Sequence, residues 1–105
     1  MGDKKVVFIS GPITGVDRYW EAFEKAEDEL TARGFIALSP SRLPWGMTND
    51  QYARICHAMV DSADAVLFLP GYEKSAGAMV ELYYTRYVGK PYATDIDALE
   101  EVMGS

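Results

Sequence analysis

The sequence has few cysteines, few histidines and no long apolar run. Its 105 residues include one cysteine and one histidine, so the chain cannot form an internal disulfide. No apolar stretch approaches the roughly 20 residues that a membrane-spanning helix needs. Residues 1–5 are polar or charged apart from Met1 and Gly2, and they lead straight into an apolar segment, unlike a secretory signal. We therefore expect a cytoplasmic protein that does not enter a membrane.

Basic residues are also scarce. Ten lysines and arginines face 16 aspartates and glutamates, which gives a net charge of −6. Proteins that grip a nucleic-acid backbone need clustered positive charge, so we expect no nucleic-acid polymer as a partner. A small anionic ligand stays possible, because backbone amides at a helix start act locally. The length and the 49% hydrophobic content predict a single globular domain over residues 1–105.

The chain is organised around an apolar run that ends at a proline and a glycine. Residues 65–69 (AVLFL) are uninterrupted by polar side chains, which predicts a strand buried on both faces. Ser75 is placed to cap a following helix, whose first turn carries only small residues before Glu81 appears. A buried strand that leads into such a helix start is a place where a parallel sheet can hold a polar ligand.

The rest of the chain alternates strand and helix patterns. Strands are predicted at residues 5–10, 35–38 and 92–94. Helices are predicted from an Asp17 cap to about residue 33, from a capping box at Thr48 and Gln51, and over residues 95–103. Strict alternation predicts an α/β protein with a flavodoxin-like three-layer α/β/α architecture, a short parallel sheet and a strand order of 2-1-3-4.

In such folds, ligands bind beyond the carboxyl ends of the strands. Asp64 begins the third strand and belongs to the opposite edge, so we exclude it from the site. The residues predicted to contact a substrate at the carboxyl edge are Ser10, Gly11, Pro12, Ile13, Thr14, Gly15, Arg42, Trp45, Gly71, Tyr72, Ser75 and Gly77.

Each of these features also has an ordinary structural interpretation. The loop at 11–15 can present amides to a phosphate or be a simple turn, because its glycine spacing matches neither the dinucleotide fingerprint nor the P-loop. Trp45 can stack on a base, cover the core or contact another subunit. Arg42 can pair with a phosphate or point into solvent.

Glu81 is a candidate functional acid whose helix also allows a plain surface role. The apolar stripe of Met79, Leu82, Tyr83 and Arg86 is expected to face the sheet, with Glu81 pointing away from it. On the residues alone, a solvated glutamate is therefore a real alternative.

Two further groups have structural interpretations. His57 has no second metal ligand at a suitable spacing, so packing or surface exposure is expected, and Cys56 is expected to be a small core residue. Four tyrosines cluster near one helix and indicate either a subunit interface or core packing: Tyr83, Tyr84, Tyr87 and Tyr92.

Several motifs together resemble those of a known superfamily. They are SGPI at 10–13, LPWG at 43–46, RICHAM at 54–59, AD at 63–64, LPGYE at 69–73 and, above all, GAMVEL at 77–82. Over about residues 5–92 the chain resembles the nucleoside 2-deoxyribosyltransferase-like superfamily, which includes 2'-deoxynucleoside 5'-monophosphate N-glycosidases. The nearest pattern is that of a short branch of this superfamily.

The resemblance implies cleavage or transfer at the bond between a base and C1' of a sugar, without a metal or other cofactor. It implies that Glu81 is the nucleophile, and Glu73 or Asp50 at the same edge would protonate the departing base. It also implies a homodimer or homotetramer in which a neighbour completes each site. The alternative is a module on the same fold that binds a nucleotide derivative without catalysis.

The chain departs from the better-known enzymes of this superfamily at two positions. Phe8 stands where they carry a tyrosine on the first strand, and Cys56 falls near an aspartate that they carry before the central strand. Both changes remove a polar contact to sugar or base. They favour a glycosidase or a binding module over a transferase.

Overall fold

The computed structural model describes residues 4–104, and its elements alternate as the sequence predicts. The strands are β1 (Val6–Ser10), β2 (Ile36–Leu38), β3 (Ala65–Phe68) and β4 (Tyr92–Ala93). The helices are α1 (Tyr19–Ala32), α2 (Asn49–Ser62), α3 (Ala76–Tyr87) and α4 (Ile96–Val102). Short 3-10 turns lie at Pro40–Arg42 and Tyr72–Lys74.

All paired strands run parallel, in the order β2-β1-β3-β4. Phe8 of β1 lies opposite Leu38 of β2 and Val66 of β3, and Leu67 of β3 lies opposite Ala93 of β4. The predicted flavodoxin-like α/β fold and its strand order are therefore confirmed. Each strand is one residue shorter than its predicted range.

Helices cover both faces of the sheet. Because strand side chains alternate between faces, Val7 and Ile9 join a core with α1 and α4, whereas Phe8 joins a second core with α2 and α3. The buried members of the α2/α3 core are Phe8, Cys56, Val60, Ala63, Val66, Phe68 and Leu82. The same alternation turns the side chain of Ser10 toward α2 and α3, where the candidate site lies.

The helix boundaries follow local capping chemistry with one exception. Thr48 and Gln51 form the predicted capping box of α2, and the Ser75 hydroxyl accepts a hydrogen bond from the Ala78 amide at the start of α3. The predicted Asp17 cap of α1 is wrong. Arg18 is the N-cap, in a left-handed conformation with φ of 53°, and no side chain caps the helix.

Within residues 4–104, no helix combines the length and the apolarity needed to cross a membrane.

Candidate active site

Glu81 lies on the inner side of α3, facing the sheet. The Ser10 hydroxyl, at the carboxyl end of β1, donates a hydrogen bond of 2.5 Å to Glu81 Oε1. Ser10 is buried and Glu81 is half-buried. The expectation that Glu81 points away from the sheet is wrong, because the buried positions of α3 are Ala78, Leu82 and Thr85 and they bring Glu81 inward.

The stripe that was expected to face the sheet is partly exposed instead. Tyr83 is 60% exposed, and Arg86 also lies on the outside of α3. Thr85 is small enough to pack against the sheet, and its hydroxyl donates to the backbone carbonyl of Glu81 at 2.6 Å. Leu82 and Met79 face the core as expected, whereas Tyr83 lies on the outer face and Ala78 and Thr85 take inner positions.

Two residues of α2 affect the pKa of the Glu81 carboxyl group. They are Cys56, which is buried, and His57, which is exposed. Burial is the largest effect on the pKa of Glu81 and raises it above the ordinary value. The hydrogen bond from Ser10, the Cys56 thiol and the charge of His57 act in the opposite direction and lower that pKa.

The pKa of Cys56 is raised as well. Burial and the Glu81 carboxylate raise the pKa of the Cys56 thiol to about 12. The thiol is therefore protonated at physiological pH and is not a nucleophile. Cys56 is the core residue that the sequence predicts.

His57 faces away from this core. Its ring lies 4.1 Å from the Tyr84 ring, and its Nε2 atom is 3.8 Å from Asp61 Oδ2. The described residues contain no cluster of three or more histidine, cysteine, aspartate or glutamate side chains suited to a metal. His57 thus helps to join α2 to α3 at the surface.

The loop at 11–15 follows Ser10 and approaches the loop after β3. The Leu69 amide donates to the Ser10 carbonyl at 2.8 Å. A Cβ atom on Gly11 would lie 3.0 Å from the Leu69 Cβ, and one on Gly71 would lie 3.4 Å from the Pro12 ring. The close approach of these two loops therefore favours glycine at position 11.

The members of the 11–15 loop have different environments. Ile13 packs against the α1/α4 core, whereas Thr14 and Gly15 are exposed at the tip. A turn is closed by the Val16 amide, which donates to the Ile13 carbonyl at 3.1 Å. The side chain of Ile13 is thus turned toward the protein interior, and Thr14 is the accessible hydroxyl of the loop.

Arg42 lies beside Glu27 of α1. Its Nε and a terminal nitrogen donate to Glu27 Oε1 at 3.0 and 2.6 Å, and Ser41 donates to the same carboxylate. The sequence predicts that Arg42 pairs with a phosphate or points into solvent, and it does not predict this pairing with Glu27. The pairing fixes the loop after β2 to α1, and the guanidinium stays largely exposed on its other side.

Trp45 is 74% exposed and lies 6.1 Å from Trp20, between ring centres. Its loop is held by Tyr52 of α2, whose hydroxyl donates to the Pro44 carbonyl at 2.6 Å and accepts from the Met47 amide at 3.4 Å. Trp45 therefore does not cover the core. A role in stacking or in a contact between subunits stays a prediction.

The loop after β3 contributes the remaining predicted residues. Tyr72 is half-buried with its ring 5.4 Å from that of Phe68, and Ser75 uses its hydroxyl as the helix cap. Gly77 is exposed with open space around it. Glu73 is exposed in the 3-10 turn and makes no hydrogen bond or ion pair within the described chain.

Asp64 lies where the sequence predicts, away from the candidate site. Its carboxylate accepts a hydrogen bond of 2.8 Å from the Val6 amide, at the start of β1. A separate groove of about 550 Å³ opens between α1 and α4. Leu67 and Leu69, which line it, belong to the α1/α4 core, so the groove lies across the sheet from Glu81.

Comparison with known proteins identifies the family. A family model described as a domain of unknown function, DUF4406, matches residues 5–94. The chain belongs to the DUF4406 family. No functionally curated protein matches the sequence of this DUF4406 domain.

A solved structure shares the fold of this DUF4406 domain. It is the 2-desoxiribosyltransferase from Leishmania mexicana, with a TM-score of 0.68 and 18% sequence identity. The match covers 84% of this chain and 61% of that protein, so the domain spans about three fifths of the enzyme's length. At this identity the likeness shows the nucleoside 2-deoxyribosyltransferase-like fold, which the motifs predict.

Sequence reasoning missed one contact of the candidate site. It assigned Ser10 to substrate binding, although its hydroxyl also bonds to Glu81. Strand alternation could have indicated this contact, because Ser10 shares a face of the sheet with Phe8, which packs against α2 and α3.

Proposed function

We propose that this protein cleaves, or transfers at, the N-glycosidic bond of a nucleoside or its 5'-monophosphate, with Glu81 as the nucleophile. The observation that carries the proposal is the contact between Glu81 and Ser10 at the carboxyl end of β1. It holds a half-buried carboxyl group beside the loops where parallel α/β folds bind their ligands. The fold shared with a deoxyribosyltransferase supports the choice of reaction.

The reaction proceeds through a glycosyl-enzyme ester. A Glu81 carboxylate oxygen forms a bond to C1' while the bond between C1' and the base nitrogen breaks, and the bonding electron pair leaves with the base. A general acid protonates that nitrogen. Water then attacks C1', which releases the sugar and restores the carboxylate, or a second base takes the place of water and gives a transferred nucleoside.

The residues around the edge suit the other parts of such a substrate. Amides of the loop at 11–15, with Gly11 and Thr14, are proposed to hold the sugar or its phosphate. Trp45 offers an exposed indole face for the base. Glu73 is the proposed general acid, since it is exposed in the turn that leads into α3. Its approach to a base requires the substrate to be bound.

We propose that the remaining predicted contacts act at the same edge. Pro12 and Gly71 bring the first and third loops together, and Gly77 leaves open space at the start of α3. Arg42 keeps an exposed side beyond its pairing with Glu27. The substrate-binding group proposed in full is Ser10, Gly11, Pro12, Ile13, Thr14, Gly15, Arg42, Trp45, Gly71, Tyr72, Ser75 and Gly77.

The test is release of free base from a panel of deoxynucleosides, ribonucleosides and their 5'-monophosphates, followed by liquid chromatography. Wild type is expected to release base from at least one of them, and Glu81→Ala to lose that activity by at least about 10³-fold. Glu101→Gln, which changes an exposed acid on α4, is the matched control and should retain full activity. Equal release by wild type and Glu81→Ala would contradict the proposal.

A binding module is the second candidate function. The Glu73 side chain makes no hydrogen bond or ion pair with the described residues. Nothing therefore holds this candidate general acid beside Glu81, which favours binding over catalysis. A sensor would keep the loop at 11–15 and need no reactive acid. Thermal-shift screening separates the two functions, because a ligand that stabilises strongly and is never turned over favours binding.

We also propose that two copies associate through the outer face of α3. Val80, Tyr83 and Tyr87 are 65%, 60% and 88% exposed and lie along one side of the helix. Such an apolar surface is typical of a subunit contact. It is continuous with the open space at Gly77, so the second copy would lie next to the site.

The oligomer is tested by light scattering after gel filtration. Wild type is expected to have the mass of a dimer or tetramer and Tyr87→Glu that of a monomer. Val102→Glu, which places the same charge on an exposed apolar position of α4, should behave like wild type. A monomeric wild type, or an unchanged mass for Tyr87→Glu, would contradict this interface.

A further inference from the structure

Ser10 has both its hydroxyl and its backbone carbonyl engaged inside the protein. The hydroxyl donates to Glu81 Oε1 at 2.5 Å, and the carbonyl accepts a hydrogen bond of 2.8 Å from the Leu69 amide. Only 1% of the residue is exposed, which leaves its side chain almost no surface for a substrate. Within the proposed substrate-binding group, we therefore expect the side chain of Ser10 to act through Glu81 and not by direct contact.

This contact distinguishes the two oxygens of the Glu81 carboxyl group. Oε1 faces the buried Ser10 hydroxyl, on the sheet side of α3. Glu81 as a whole is half-buried, so part of the residue is open to solvent. An oxygen that accepts a hydrogen bond from a buried donor is poorly placed to approach C1' of a bound sugar. Oε2 is therefore the oxygen that can meet a substrate.

The elements that carry the two partners hold them in place. Ser10 is the last residue of β1 and lies opposite Phe68 of β3 in the sheet. On α3, the buried Thr85 hydroxyl donates to the Glu81 backbone carbonyl at 2.6 Å. A donor on a paired strand has little freedom to follow a moving side chain. The hydrogen bond from Ser10 therefore fixes the orientation of the carboxyl group relative to the sheet.

The same hydrogen bond has different effects on the two steps of the proposed reaction. In the first step the carboxylate loses its charge as it bonds to C1', so the donor keeps Glu81 ionised without accelerating its attack. In the second step water attacks C1', the bond between C1' and Oε2 breaks, and its electron pair returns to the carboxylate. A water proton passes to the general acid, which has given its own proton to the base. Negative charge then develops beside the Ser10 donor, and hydrogen bonds to charged groups are the stronger ones.

We propose that Ser10 is a positioning residue, whose hydroxyl holds Glu81 Oε1, leaves Oε2 to attack C1' and stabilises the carboxylate as it leaves the sugar. The inference rests on the proposed function, because the last effect exists only if a glycosyl-enzyme ester forms. The hydrogen bond itself needs no substrate. It requires that Glu81 titrate at a lower pH with Ser10 present than without it.

The first experiment is a carbon-13 NMR titration of the glutamate carboxyl groups, with the Glu81 signal assigned by its loss in Glu81→Gln. Ser10→Ala should move the Glu81 midpoint to higher pH. Thr85→Val removes a buried hydroxyl that bonds to the backbone of Glu81 and should leave the midpoint unchanged. Cys56 and His57 of α2 also favour ionisation of this carboxyl group, and neither is altered in these variants.

The second experiment follows the covalent intermediate, with a substrate that wild type cleaves and at a pH above the Glu81 midpoint of each protein. Ser10→Ala should slow the second step by about five- to tenfold, the factor between a hydrogen bond to a charged acceptor and one to a neutral acceptor. The fraction of protein that carries the sugar at steady state should therefore rise, as read by intact-protein mass spectrometry after an acid quench. Thr85→Val should match wild type.

The two readouts separate this inference from the proposed reaction. An unmoved midpoint in Ser10→Ala, or an equal shift in Thr85→Val, overturns the inference whatever the activity. A glycosylated fraction in Ser10→Ala that is no larger than in wild type also overturns it. A moved midpoint in a protein that releases no base supports the hydrogen bond and counts against the proposed reaction alone. If Ser10→Ala does not fold, Ser10→Cys keeps nearly the same shape with a weaker donor, and both effects should have the same sign.

Discussion

Substituting Ser10 by alanine removes the donor at the centre of the candidate site. The Ser10 hydroxyl is almost fully buried and bonds to Glu81 at 2.5 Å. A hydrogen bond to a charged group contributes about 1.5 to 3 kcal/mol to folding. We expect Ser10→Ala to lose about 2 kcal/mol of unfolding free energy at neutral pH. For a chain near 100 residues this lowers Tm by roughly 8 to 16 °C.

The loss should depend on pH in a defined direction. Burial raises the folded-state pKa of Glu81, so folding takes up a proton between the unfolded and the folded pKa values. The stability from this group is complete below the unfolded pKa of about 4.3 and is lost as the pH rises through the folded pKa. Removing Ser10 raises the folded pKa further, so Ser10→Ala should lose most stability at high pH.

Urea unfolding followed by circular dichroism at pH 4 and pH 7.5 tests this expectation. Ser39→Ala is the matched control, because Ser39 is also buried and its side chain bonds to neutral groups of Ser41. The destabilisation of Ser10→Ala should be larger at pH 7.5 than at pH 4, and that of Ser39→Ala should be similar at both. An equal loss for Ser10→Ala at the two pH values would refute the reasoning about Glu81.

Two further predictions concern glycines near the site and the end of α2 at the opposite edge of the sheet. Gly11→Ala should lower the free energy of unfolding by about 1 to 3 kcal/mol, because the added Cβ lies 3.0 Å from the Leu69 Cβ. Gly77→Ala should raise it by about 0.5 to 1 kcal/mol, because the space around Gly77 is open. Lys90→Met should cost about 1 to 3 kcal/mol, since the ammonium group donates to three carbonyls at the end of α2. Thermal unfolding measures each change, with the exposed Lys74→Met as the control for Lys90→Met.

The sequence predicts the fold well because its signals are local. Apolar runs of four to five residues mark the buried strands, and the Thr48 capping box and the Ser75 cap mark two helix starts within a residue. Each depends on side chains a few positions apart. The predicted start of α1 is wrong. Aspartate is a common N-cap residue, which favours Asp17, but the chain adopts a left-handed conformation at Arg18 and the helix begins after it.

The site is predicted less completely, because its contacts join residues far apart in the chain. Ser10 and Glu81 are 71 positions apart, and only the strand order brings β1 next to β3 and hence to the start of α3. The strand order predicts the edge of the sheet at which the site lies, and the GAMVEL motif at 77–82 predicts Glu81 as its acid. The pairing of Arg42 with Glu27 depends on how the loop after β2 packs against α1, which no local pattern encodes.

The rotation of α3 about its axis is the most informative departure from the sequence pattern. A helix that only packs on a sheet buries its large apolar residues, yet α3 exposes Tyr83 and Tyr87 and turns Glu81 toward Ser10. Returning the tyrosines inward would place two large rings where Ala78 and Thr85 now pack against the sheet, a change in volume that a close-packed core does not accept. Ala78, Leu82 and Thr85 thus fix the rotation of the helix, and that rotation sets both the half-buried position of Glu81 and the apolar outer face.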